Sequence, residues 1–175
     1  GHFEVRDELA VTAQRQLDAV ARDLIGRFES TAVDATRAPG DPGFFTDGGA
    51  ALNIADETGL AARVKVNAAL DPSQGGDLWR LRDGLGAAVQ GAPGDSSRLT
   101  AMVDALQALN PTQSGGFTTS ARSLTGLNAD FLSELGRQKL DTGSEVLFAT
   151  TQQNGFRSAE LENGVDTDQE MQKLL

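Results

Sequence analysis

The sequence predicts a mainly α fold, an elongated helical bundle built on two long antiparallel helices with a small β-hairpin and a loop-rich middle segment. Three observations lead to this prediction. Residues 118–162 contain no proline and carry apolar side chains at steps of three and four. Residues 5–30 repeat that spacing. The residues between these stretches are interrupted by glycine and proline, which favours short elements and turns.

The late stretch, residues 118–162, is the element around which we expect the other elements to pack. At ~1.5 Å per residue a helix over its whole length would span roughly 65 Å. Four glycines lie inside it, and each costs about 1 kcal/mol relative to alanine: Gly126, Gly136, Gly143 and Gly155. Such a helix needs a partner along its length. The stripe predicted to meet that partner comprises Leu124, Leu127, Phe131, Leu135, Thr142, Val146, Ala149, Gln153 and Phe156.

The first helix is predicted over residues 5–30, antiparallel to the late stretch. Its apolar face is expected to comprise Leu9, Ala13, Leu17, Val20, Ala21, Leu24 and Phe28, near the 3.5-residue period of a bundle seam. The charged side chains are placed on the opposite, solvent face: Arg15, Arg22, Asp23, Arg27 and Glu29.

Residues 31–76 are predicted to form loops and a hairpin. Prolines and glycines between residues 38 and 43 indicate a double turn. Phe44 and Phe45 follow it, and we expect this pair to dock on the helices as a plug; an exposed patch that binds a partner is the alternative. The hairpin is expected to pair Ala50–Leu52 with Arg63–Asn67, because the latter alternates polar and apolar residues.

Residues 77–110 are predicted to hold short helices. Asp77 is expected to cap a helix through Leu78–Val89. Asp95 or Ser96 is expected to cap a second helix, which carries apolar residues at helical spacing up to Leu109. Proline at position 111 predicts that this helix ends, because the residue before a proline avoids the helical region.

At the end of the sequence, Asn163 and Gly164 predict a helix stop. Thr167 and Glu170 have the spacing of a capping box, so a further helix is predicted to start within residues 167–175. Because the apolar pattern is cut at Leu175 and no initiator methionine precedes Gly1, we expect the sequence to be a fragment of a longer protein.

Composition and charge bear on the classes of function. The formal net charge is −10 and the isoelectric point about 4.5, which disfavours binding to nucleic acid or to an anionic membrane surface. Cysteine is absent, which excludes disulfides, thiol catalysis and cysteine-ligated metals. No stretch is apolar enough for a membrane-spanning helix, and the first 30 residues lack the pattern of a signal peptide.

No residue is singled out as catalytic, cofactor-binding or metal-binding, and an enzyme is not expected. His2 is the only histidine, so a serine–histidine–aspartate triad or a histidine zinc site is not expected. Asp166, Asp168 and Glu170 have too few companions for an EF-hand, and capping explains them better. The glycine pairs Gly75–Gly76 and Gly115–Gly116, and the Gly84-x-Gly86 pattern, lack phosphate-loop spacing.

Separate stretches resemble the flagellar hook-associated protein that joins hook to filament, the FlgK type. The stretch Phe3–Leu9, continuing through Gln16–Leu24, is similar to the start of that family's first helix. Gly164–Met171 resembles the motif before its last coiled-coil helix. Gly43–Phe45 and Val66–Leu70 resemble shorter family signatures. The family's histidine and glycine-rich loop after the first helix are replaced here, and its β-rich insert is nearly absent.

The resemblance implies a structural subunit of the bacterial flagellum that joins hook and filament without catalysis, in motility and flagellum assembly. The implied partners are hook protein, the next junction protein and further copies of the chain. An export chaperone would bind a C-terminal region outside this sequence. The implied location is extracellular, after type III export without a cleaved signal peptide. We expect the fragment alone to be monomeric. The alternatives are another flagellar axial protein, either flagellin-like or the second junction protein, and a secreted helical adhesin or binding module.

Overall fold

The computed structural model describes the backbone of residues 8–173 and the side chains of residues 8–162. The chain divides into two units, residues 1–132 and residues 133–175. Helices make up 57% of the chain, which confirms the mainly α class. The prediction of one rod-type domain over residues 1–175 stays a prediction.

Helix α1, Ala10–Phe28, confirms the first predicted helix with a shorter extent, and the predicted start at residues 5–7 lies outside the described residues. Its predicted faces are partly wrong. Arg27, assigned to solvent, is only 4% exposed, whereas Leu17, assigned to the core, is 39% exposed. The reason is that partners surround α1 on several sides, since it packs against α2 (Leu60–Arg63), α4 (Ser97–Gln107) and strand β1 (Phe45–Asp47).

A buried carboxylate joins α1 to α2. Asp18 is 2% exposed, and its two oxygens accept hydrogen bonds from the backbone N–H groups of Gly59 and Ala61 at 2.8 and 2.9 Å. These donors belong to the first turn of α2, which has no other side-chain cap. A carboxylate at a helix N-terminus satisfies orphan N–H groups. The polar face of α1 therefore fixes the position of a four-residue helix.

The small sheet pairs other residues than predicted. Strand β2 is Val64–Val66, as the alternation in Arg63–Asn67 indicated, but its antiparallel partner is β1 rather than Ala50–Leu52. Phe45 lies opposite Val66, and Asp47 opposite Val64. Ala50 makes only an isolated bridge to Asp47. Glycines 48 and 49 turn the chain there with φ of 63° and 108°, so the strand ends before the predicted position.

Two small apolar clusters form the core of the first unit. One contains Phe28, Val33, Phe44, Leu70 and Met102, and the other Ala21, Ile25 and Leu60. Phe45 packs against both clusters, and its ring centroid lies 5.0 Å from that of Phe28. Phe44 is 3% exposed. The expected docking of this pair on the helices is confirmed, and the pair is core rather than an exposed patch.

The short helices are shorter than predicted. Helix α3 covers only Arg80–Asp83, not Leu78–Val89, and Asp77 does not cap it; the chain leaves the helix at Gly84 with φ of 113°. Helix α4 begins one residue after Ser96, and the Asp95 carboxylate accepts a hydrogen bond from the Ser97 N–H at 2.9 Å. Single turns of 3₁₀ helix occupy Ile54–Asp56, Ala68–Leu70 and Pro72–Gln74.

The late helix begins later than predicted. Residues 118–123 are not helical, because β4 (Ala121–Arg122) pairs antiparallel with β3 (Asn110–Pro111). Helix α5 starts at Leu124, where Ser123 Oγ accepts a hydrogen bond from the Gly126 N–H at 3.1 Å. A side-chain oxygen that accepts a hydrogen bond from the backbone N–H three residues later is a strong signal for the start of a helix. This signal outweighs the apolar spacing of the preceding residues.

Helix α5 continues to Lys173, so the predicted stop at Asn163–Gly164 and the separate helix in residues 167–175 are wrong. One glycine costs about 1 kcal/mol inside a helix, too little to end one whose backbone bonds continue on both sides. Residues 174 and 175 lie outside the described residues. The bundle of two long antiparallel helices is not confirmed.

Candidate interaction helix

The second unit presents its apolar side chains in two stripes along α5. With 3.6 residues per turn, Leu135, Val146 and Phe156 share one side of the helix, which we call the first stripe. Leu140, Leu147 and Leu161 share a side about one third of a turn away, which we call the second stripe. All six residues are exposed. A helix with apolar residues on two sides can pack against a neighbouring element on each of them.

The middle of this helix carries no charge. Residues 146–156, which we call the charge-free segment, contain no Asp, Glu, Lys or Arg, and each is exposed. Leu147 is 69% exposed, Phe148 66% and Phe156 72%. Phe148 lies on neither stripe, so large apolar side chains point in three directions. At ~1.5 Å per residue the segment is roughly 16 Å long.

Three hydroxyl groups in or near the charge-free segment are turned inward to the helix backbone. The hydroxyls of Thr150 and Thr151 each donate to the carbonyl four residues earlier, at 2.8 Å. Ser144 makes the same bond to Leu140 at 3.0 Å. These hydroxyls have used their donor within the helix. What they present to a neighbour is mostly methyl and methylene surface.

The first unit contrasts with this helix, since it contains charged groups that are both paired and buried. Arg27 donates to the Asp23 carboxylate at 2.6 Å, to the carbonyls of Ala105 and Ala108 at 2.6 Å each, and to that of Arg122 at 2.8 Å. A cation at the last carbonyls of α4 interacts favourably with that helix end. Arg27 thus joins α1, α4 and β4, which is a structural role.

Asp34 joins two loops in the same way. Its carboxylate, fully buried, accepts from the N–H of Leu85 at 2.8 Å and from the Thr36 hydroxyl at 2.6 Å, and pairs with Arg98 at 2.6 Å. Burial by itself raises the pKa of Asp34. The hydrogen bonds from Thr36 and Leu85 and the charge of Arg98 outweigh burial, so the pKa lies below its ordinary value. Asp34 is therefore an anion with a full set of partners.

A cavity of about 320 Å³ lies beside α1, lined among others by Arg22, Gly26, Leu52, Pro111 and Thr112. The charged groups on its wall are occupied: Arg22 pairs with Glu57 at 2.8 Å, and the Arg27 guanidinium is bound as described. The lining has no histidine or cysteine.

The structure locates some of the residues that the sequence analysis considered as possible phosphate-binding or metal-binding positions. Gly84 and Gly86 pack against Thr36, where a Cβ atom would collide with that residue, so this glycine pattern serves close loop packing. His2 lies outside the described residues, as do the side chains of Asp166, Asp168 and Glu170. Across the described residues, no three or more His, Cys, Asp or Glu side chains are grouped as metal ligands.

Comparison with protein-family models, with curated proteins and with solved structures finds no match to this chain. Within the part of the chain that the structure describes, none of the helices has the length and apolar character to cross a membrane.

Sequence reasoning missed the second stripe and the charge-free segment. It followed one face of the late helix and so left Leu140, Leu147 and Phe148 without a role. A signal for them was available, because eleven consecutive residues without a charge are visible in the printed sequence. Their exposure on all sides could be known only from the structure.

Proposed function

We propose that the chain is part of a structural subunit of the bacterial flagellum, joining hook and filament, and that it acts through assembly rather than catalysis. The observation that supports assembly is the exposed charge-free segment of α5. The flagellar assignment rests on the resemblance of the sequence stretches described above. Hook protein, the next junction protein, further copies and an export chaperone are the proposed partners, and the proposed location is extracellular.

The physical argument for assembly is the apolar surface. Burying a fully exposed leucine or phenylalanine side chain is favourable by ~1.5–3 kcal/mol. Leu147, Phe148 and Phe156 are each about two-thirds exposed, so covering them by neighbouring helices releases a substantial part of that free energy. Because the three side chains point in different directions, neighbours on more than one side are required. A helix within a multi-helix wall has that arrangement.

The elongated bundle of two long antiparallel helices belongs to this proposal. In it, one stripe of α5 packs against a helix of the bundle and the other stripe against a neighbouring subunit. Spin labels at Val11 and Ser144 can test the bundle, because the chain has no native cysteine and both positions are accessible. Short, narrow distances support the bundle, and long or broad ones argue against it.

Binding to purified flagellar subunits tests the function. We expect the chain to bind hook protein or the next junction protein, and a Leu147→Ser/Phe148→Ser variant to lose this binding while keeping its helix content by circular dichroism. An Asp141→Asn/Glu145→Gln variant, altered beside the charge-free segment, serves as control. Binding to filament subunits alone favours a flagellin-like protein. Absence of binding to every axial subunit rejects the flagellar proposal and favours an adhesin or other binding module.

A further inference from the structure

The first stripe of α5 continues as a regular seam through the charge-free segment. Steps of four and three residues alternate along it, which is the spacing of a coiled-coil core. The seam consists of Leu135, Lys139, Thr142, Val146, Ala149, Gln153, Phe156 and Glu160. We propose that a second copy of this chain covers the seam, with the two α5 helices antiparallel and related by a two-fold axis level with residue 151.

The four central residues of the seam are placed symmetrically about position 151. Val146 and Phe156 lie five residues to either side of it, and Ala149 and Gln153 two residues to either side. In the antiparallel pair Val146 therefore faces Phe156 of the second copy, and the small Ala149 leaves room for the longer Gln153. A two-fold interface repeats each contact. The two charge-free segments then cover one another over their full length.

The charges at the two ends of the seam select the second copy and its orientation. Lys139 of one copy and Glu160 of the other come within three residues of each other along the axis, about 4.5 Å, so their long side chains can pair. The symmetry produces this pair twice. In a parallel pair at the same register Lys139 would meet Lys139 and Glu160 would meet Glu160. Both residues are exposed in the single chain.

The pairing differs from the monomer expected from the sequence, and it does not depend on the flagellar assignment. It uses only the first stripe. Leu140, Leu147 and Leu161 on the second stripe stay accessible in the pair, so a further neighbour can still bind there. The dimer and the assembly surface proposed above are therefore separable by experiment.

Disulfide cross-linking tests the orientation, since the chain has no cysteine of its own. We expect a mixture of Ala149→Cys and Gln153→Cys chains to form the mixed disulfide dimer in higher yield than either variant alone. A parallel pair would instead link Ala149→Cys chains to each other most efficiently, which overturns the proposal. Sedimentation equilibrium of the unmodified chain must also show a dimer; a monomer at all concentrations measured overturns it as well.

Charge reversal tests the ion pairs. Lys139→Glu and Glu160→Lys should each raise the dimer dissociation constant roughly 2- to 30-fold at low salt, and the double variant should restore it. If the single variants weaken the dimer and the double variant does not restore its dissociation constant, Lys139 and Glu160 do not pair.

A matched pair of variants tests the stripe. Phe156→Ser should shift the chain to monomer, whereas Leu161→Ser, also exposed but on the second stripe, should leave the dimer intact. Equal effects of the two variants would reject the first stripe as the interface. Circular dichroism of both variants shows whether the helix is retained.

Discussion

The first unit of this chain buries several charged side chains, whereas the second unit leaves every large apolar side chain described in it exposed. In the first unit Asp18, Arg27 and Asp34 are buried and hold short elements together through backbone hydrogen bonds. In the second unit the described side chains lie along a single helix, and large apolar residues such as Leu147 and Phe156 are exposed.

Comparison of helices α1 and α5 shows that the length and apolar spacing of a helix do not determine whether it packs into a core. Helix α1 has short partners on several sides, and its best-buried side chains include polar ones that link those partners. Helix α5 is much longer, yet its apolar residues beyond Leu132 have no cover within the second unit. We interpret the first unit as self-supporting and the second as a surface for association. The following predictions test this contrast.

The largest effect is expected at a buried charge. Asp34→Ala leaves Arg98 and two backbone donors without their carboxylate, and we expect the free energy of unfolding of the first unit to fall by ~3–5 kcal/mol. Urea unfolding followed by the fluorescence of Trp79, the only tryptophan, reports on this unit. The control Asp141→Ala, on the exposed surface of α5, should change it by less than ~0.5 kcal/mol. Similar losses in both variants would contradict the contrast.

A matched leucine pair is expected to give the next effect. Leu60 is fully buried and Leu147 is 69% exposed. Leu60→Ala should lower the free energy of unfolding by ~2–5 kcal/mol because it leaves a cavity, whereas Leu147→Ala should change it by ~0.5 kcal/mol or less. Urea unfolding followed by Trp79 fluorescence measures the Leu60 variant, and urea unfolding followed by circular dichroism measures the Leu147 variant, both at a concentration where the chain is monomeric. A large loss for Leu147→Ala would show that this side chain is covered.

Acid is expected to destabilise the first unit. The Arg63 guanidinium bound to Asp47 holds the pKa of that carboxyl below its ordinary value, and the pKa of Asp34 is lowered as described. A lowered folded-state pKa contributes stability that is full above the unfolded value, about 3.9, and is lost as pH falls through the folded value. Urea midpoints by Trp79 fluorescence should therefore drop below about pH 4, and less steeply in Asp34→Asn, which cannot titrate there.

The smallest effect is expected at Gly143, and Gly84 should respond to the same substitution with the opposite sign. A Cβ added at Gly143 of α5 meets no atom within 4 Å, so Gly143→Ala should raise helix stability by up to ~1 kcal/mol, seen as a higher melting temperature by circular dichroism. Gly84→Ala should instead lower the stability of the first unit, because Gly84 has φ of 113° and Thr36 lies against it. Stabilisation at both positions would contradict the packing described for the first unit.

Sequence reasoning was successful where a local pattern decides the outcome. The helix from Ala10 to Phe28, the strand Val64–Val66 and the cap at Asp95 follow from spacing, alternation and side-chain chemistry. The docking of Phe44 and Phe45 followed from their apolar bulk. Sequence reasoning failed where two segments compete to pair with the same distant strand. Phe45–Asp47 pairs with Val64–Val66 in place of the predicted Ala50–Leu52.

For the candidate interaction helix, the first stripe was predictable and the second was overlooked. The stop signal at Asn163–Gly164 was followed although a glycine alone is too weak to end a long helix. The burial of Arg27 could not be predicted, because three of its four acceptors are carbonyls about 80 to 95 residues away in the sequence. Every residue has a backbone carbonyl, so the sequence does not show which carbonyls an arginine side chain will bind.

The amino-acid sequence by itself determined the mainly helical class, the negative charge, the absence of cysteine chemistry and the charge-free residues 146–156, because each depends only on composition or local spacing. Only the tertiary structure decided that Asp18, Arg27 and Asp34 lie inside while Leu147 and Phe156 lie outside. The physical reason is that burial depends on which distant groups satisfy a charge or cover an apolar side chain, and those groups meet only when the chain folds.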